Sequence, residues 1–83
     1  MSTKDKLIER FKSLPRDFTF DELVSLFNIL GYSIDNKGAT SGSRVSFTKE
    51  NDKFLIHKPH PGNIVKMYYL KMLRTEFQQR KLI

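Results

Sequence analysis

Gly31 divides the chain into two hydrophobic periods, and no other feature constrains the fold as strongly. Before it, apolar residues recur at helical spacing. After it they alternate with a period of two as far as Ile56, and helical spacing returns beyond Pro61. On the N-terminal side, Thr19-Phe20-Asp21-Glu22 reads as a capping box: the Thr19 hydroxyl accepts from the Glu22 amide while the Glu22 side chain returns to the Thr19 amide. Phe18 and Leu23 are spaced for a hydrophobic staple. Leu23, Phe27 and Leu30, with Val24 and Leu26 beside them, form the buried stripe, and Gly31 supplies a left-handed C-terminal cap. An earlier helix is marked by Leu7, Ile8, Phe11 and Leu14, with Ser2 and Asp5 as a candidate capping box and Pro15 as the stop.

Beyond Gly31, Tyr32 and Ile34 alternate with Ser33 and Asp35 and suggest a first strand, followed by a loop over 36–42. Val45 and Phe47 alternate with Arg44, Ser46 and Thr48, and Phe54 and Ile56 alternate with Leu55 and His57. Glu50-Asn51-Asp52-Lys53 between them is a polar turn, so the pair reads as a β-hairpin. Centring the turn on Asn51-Asp52 sets Phe47 across from Ile56, Lys49 across from Phe54, Ser46 across from His57 and Ser43 across from His60. Both apolar sets then share one face. Residues 57–63 hold Pro59, Pro61 and Gly62 and are neither strand nor helix interior. From about Ile64 to Gln79, Met67, Leu70, Leu73 and Phe77 share a helical face, with Lys66, Arg74 and Lys81 solvated. The expected fold is a single α+β domain over 1–83: two helices, a three-stranded antiparallel meander and a last helix, in a two-layer sandwich.

The chain has 83 residues with seven Phe and three Tyr, enough for one small core. With no Cys it has neither disulfides nor thiolate metal sites. It contains no apolar run of membrane-spanning length, and a soluble cytoplasmic protein is expected. The net charge of +6 is uneven. Residues 1–36 carry five basic and six acidic groups, whereas 53–83 carry seven basic groups against Glu76 alone. That is the footprint of a surface that meets phosphate; a solvated basic helix is the plainer reading, and an anionic membrane surface a weaker one.

The element order, the helix ending in Leu30-Gly31-Tyr32, the Gly42-Ser43 pair at the start of the second strand and the Pro59-His60 stretch between the third strand and the last helix resemble the HicA toxins of HicAB toxin–antitoxin pairs. The likeness covers about residues 19–75, within a core of 19–79 that leaves 1–18 as a helical extension. It implies a fold like double-stranded-RNA-binding domains, metal-independent cleavage of mRNA, and a HicB-type antitoxin as protein partner. In the family a catalytic His follows the Gly-Ser pair; here that position is Arg44, which stays protonated and cannot shuttle a proton.

The residues themselves offer a replacement. In the hairpin register above, Arg44 and His57 are diagonal neighbours on the outward face, with Lys58 and His60 close by. A neutral His takes the proton from a ribose 2′-OH, a protonated one gives it to the departing 5′ oxygen, and Arg44 stabilises the charge developing on phosphorus. His60, His57 and Arg44 are therefore the candidate catalytic residues. Lys37, Gly42, Ser43, Lys58 and Lys66 are the candidate RNA-binding residues, with Gly38, Thr40 and Ser41 in the same loop. No cofactor or metal is expected: the loop lacks the Lys-Ser/Thr ending of a P-loop, and the two His have no carboxylate at ligand spacing. Each residue also has a structural reading: His57 as a solvent-facing strand residue, His60 as turn packing, Arg44 as half of an ion pair. Tyr68 and Tyr69 read as core or interface, with base stacking the alternative. The competing function is a non-catalytic module of the same fold that binds RNA or a protein.

Overall fold

Thr19 forms the capping box that its sequence predicts. Its hydroxyl accepts from the Glu22 amide at 3.1 Å, and Glu22 Oε1 accepts from the Thr19 amide at 3.0 Å. The computed structural model describes residues 3–35, 44–59 and 62–83. The elements are α1 (Thr3–Lys12), α2 (Phe20–Ile29), β1 (Ser33–Asp35), β2 (Arg44–Lys49), β3 (Asp52–His57) and α3 (Met67–Gln79). Gly31 ends the α2 segment at φ 96, the left-handed conformation expected of it. The strands form one antiparallel sheet in the order β1-β2-β3.

Val45, Phe47, Phe54 and Ile56 are buried on one face of that sheet. Phe27 of α2 stacks on Phe47 with centroids 4.1 Å apart, and lies 5.2 Å from Phe54 and 5.4 Å from Phe77 of α3. The helices thus cover one face of the meander, the expected α+β two-layer fold. α1 is more than an appendage, because fully buried Phe11 packs on Phe18 and Phe77 with centroids 5.8 and 5.3 Å away. Arg10 fastens it further, donating from Nε to Glu22 Oε2 at 2.7 Å and from Nη2 to Asp17 Oδ1 at 3.0 Å.

Three sequence expectations are corrected. The hairpin turn is centred on Glu50-Asn51, so Lys49 faces Asp52, Phe47 faces Phe54, Val45 faces Ile56, Ser46 faces Leu55, and Arg44 faces His57 directly. A shift of two residues keeps every side chain on its predicted face, so hydrophobic pattern alone does not distinguish the registers. Glu50 takes φ 52 in the turn, while Asp52 accepts hydrogen bonds from the Tyr32 hydroxyl and from Arg80. Second, α3 begins at Met67 rather than Ile64. The Val65 amide donates to Phe18 O and Asn63 O accepts from the Phe20 amide, both at 2.8 Å, and Ile64 bridges Thr19. This strap pairs along the start of α2 in place of a first helical turn, and Met67 is exposed. Third, Arg74 is only half-solvated; its Nη1 donates to Lys12 O at 2.8 Å, closing α3 onto the end of α1.

Candidate nucleic-acid interface

Because Val45 and Ile56 point into the core, their neighbours Arg44 and His57 point out of the sheet on its uncovered face. They are a directly opposed cross-strand pair, a geometry that brings Cβ atoms to about 4.5–5.5 Å. Both are exposed. β3 is a sheet edge, and its last residue is tied to the helix layer there: the His57 amide donates to the Tyr69 hydroxyl at 3.3 Å.

That contact sits beside a cleft of about 320 Å³. One wall is His57, Lys58 and Pro59 at the exit of β3. The other is Ile64, Val65 and Lys66 in the strap with Tyr68 and Tyr69 in the first turn of α3. Lys66 is the N-cap residue of α3 in extended conformation; no side chain caps this end and its first turn holds no acidic residue. The amides of a helix start, with their partial positive charge, therefore share this corner with Lys58 and Lys66. The ion pairs among the described residues use Arg10, Lys12 and Arg80 and leave Arg44, Lys58 and Lys66 out.

The basic excess of the second half is thus divided by use. Arg80, at the far end of α3, pairs with Asp52, reaches Glu76 Oε1 at 3.7 Å and lies 4.2 Å over the Phe54 ring. The Tyr32 hydroxyl joins the same carboxylate. Tyr32 and then Arg80 hold the Asp52 carboxyl below its ordinary range, while burial and then Asp52 push the Tyr32 phenol up. This cluster holds the hairpin turn against the ends of α2 and α3. Lys58 and Lys66 are the cations at the cleft.

Of the residues expected at the site, Arg44, His57 and Lys58 meet at one end of the β2–β3 hairpin, and Lys66 stands across the cleft from His57 and Lys58. His60, Lys37, Gly42 and Ser43 lie outside the described residues, as do Gly38, Thr40 and Ser41. Tyr68 and Tyr69, whose sequence reading is core or interface with base stacking the alternative, form part of the cleft wall. They follow Lys66 and Met67 in the first turn of α3, where Tyr68 is exposed and Tyr69 is partly buried against the core. Met72 and Leu55 are also exposed apolar residues, on α3 and on the outward side of β3.

No curated protein and no solved structure matches this chain. The family model described as the HicA toxin of bacterial toxin–antitoxin systems matches residues 20–79, from the first residue of α2 to the last of α3. With the matched segment spanning most of the chain and every strand of the sheet, this protein belongs to the HicA toxin family of bacterial toxin–antitoxin systems.

Proposed function

We propose that this toxin is an RNA-binding endoribonuclease that cuts mRNA by metal-independent acid–base chemistry and is neutralised by a HicB-type antitoxin covering its basic corner. The observation that carries the reading is the direct opposition of Arg44 and His57 on the uncovered sheet face, next to Lys58. An imidazole opposite a guanidinium suits attack of a ribose 2′-OH on the adjacent phosphorus. The 2′-oxygen forms the new bond to phosphorus as the bond to the 5′ oxygen breaks, leaving a cyclic 2′,3′-phosphate and a 5′-OH. One imidazole accepts the 2′ proton and the other supplies a proton to the leaving oxygen; His57 and His60 are assigned these two roles. Arg44 stands where the family has its catalytic His, so it serves as the electrostatic partner and His57 takes the proton work.

The test is incubation of defined RNA with purified protein and excess chelator. Cleavage that survives chelation, yields cyclic phosphate ends and falls about 10²–10⁴-fold in His57→Ala and His60→Ala proteins supports the reading. Intact RNA bound in a salt-dependent manner would instead establish the non-catalytic module. Induced expression gives the cellular counterpart: growth arrest relieved by co-expression of a HicB-type antitoxin.

A further inference from the structure

Tyr68 is 72% exposed, the most open of the large apolar side chains among the described residues. It lies on the opposite side of α3 from Leu70, Leu73 and Phe77, so the core does not require an aromatic there. Its ring runs nearly parallel to that of Tyr69, at 16° with centroids 6.4 Å apart, and Tyr69 is itself pinned through its hydroxyl to the His57 amide. Both rings line the cleft shared with His57, Lys58 and Lys66. Its volume of about 320 Å³ is at the lower end of the roughly 300–1,000 Å³ typical of small-ligand pockets. An oriented, solvent-open aromatic face flanked by cations matches the pattern by which proteins hold unpaired nucleotides: a base on the ring, its phosphate on the basic side chains.

We infer that Tyr68 is a stacking platform for one unpaired base of the RNA, and that this corner therefore selects single-stranded over duplex RNA. A-form duplex keeps its base faces stacked internally and offers the protein only backbone and groove edges, so it cannot use the ring. An acidic protein segment would also meet the lysines, but would not need a flat ring tilted to match its neighbour. The inference rests on the RNA-binding part of the proposal above, not on its cleavage step.

The experiment measures fluorescence anisotropy of a labelled, short, single-stranded 2′-O-methyl oligoribonucleotide, which cannot be cleaved by 2′-OH attack, with the full-length protein. Tyr68→Ala is expected to weaken binding by about five- to 150-fold, while Tyr68→Phe stays within about twofold of wild type. The same strand annealed to its complement is expected to bind more weakly and to lose little in Tyr68→Ala. In NMR titrations the Tyr68 ring protons shift upfield as the base covers them. Equal affinity of wild type and Tyr68→Ala for the single strand would overturn the stacking role while leaving RNA binding intact. Absence of binding by the wild type would overturn the RNA reading and this inference together. Loss of antitoxin binding in Tyr68→Ala with oligonucleotide affinity unchanged would reassign the ring to the protein partner.

Discussion

The Tyr69 hydroxyl accepts a hydrogen bond from the His57 backbone amide at 3.3 Å, fastening the first turn of α3 to the exposed edge of β3. This contact links the imidazole-bearing end of the sheet to the tyrosine wall of the cleft. Tyr69→Phe keeps the ring and removes the acceptor. Stability should fall by no more than about 1 kcal/mol, since the bond is near the surface. Hydrogen exchange of the His57 amide should accelerate more than that of Ile56, and an unchanged His57 rate would show that the contact does not restrain this edge.

α1 belongs to the core although the family match begins only at Phe20. Phe11→Ala should destabilise the protein by about 3–5 kcal/mol, because a fully buried ring packed on Phe18 and Phe77 leaves a cavity. Deleting residues 1–16 should abolish the cooperative urea transition. A truncated protein that unfolds with the full-length midpoint would reduce α1 to a detachable extension.

Acid stability follows from two carboxylates. The hydrogen bond from Arg10, aided by Thr19, holds Glu22 below its usual range, and Tyr32 with Arg80 does the same for Asp52. For a depressed folded pKa the stabilisation is complete above the unfolded value, about 4.3 for Glu and 3.9 for Asp, and disappears as pH falls through the lower folded values. The urea midpoint should therefore drop steeply below about pH 4. Glu22→Gln keeps an acceptor for the capping box but loses the charge, so its midpoint should be lower near neutrality and flatter in acid. Parallel curves for the two proteins would rule out Glu22 as a source of the acid sensitivity.

Phosphate contacts declare themselves through salt. If Arg44, Lys58 and Lys66 each neutralise one phosphate of a single strand, the triple Gln variant should reduce the slope of log K against log salt by about 2. Replacing Arg74 and Arg80 should leave the slope nearly unchanged, since those guanidiniums serve Lys12 O and Asp52. A slope insensitive to the first set would remove this corner from the RNA path.

The sequence alone determined the elements whose causes are local. The Thr19–Glu22 box, the α2 stripe and the left-handed Gly31 depend on atoms within a few residues, and the strand pairs follow from a period of two that sorts core from solvent. Tertiary structure decided what repeats without changing the pattern or depends on distant partners. Slipping the hairpin by two residues leaves the alternation intact, so its register, and with it the facing of Arg44 and His57, is accompanied by remote contacts of Asp52 with Tyr32 and Arg80. The start of α3 was likewise displaced by backbone bonds to Phe18 and Phe20, which helical spacing cannot encode. That displacement leaves Ile64–Lys66 as a strap facing the end of β3 across the cleft. Charge counting located the basic half, but only packing separated the arginines that hold the fold from the lysines left at the cleft.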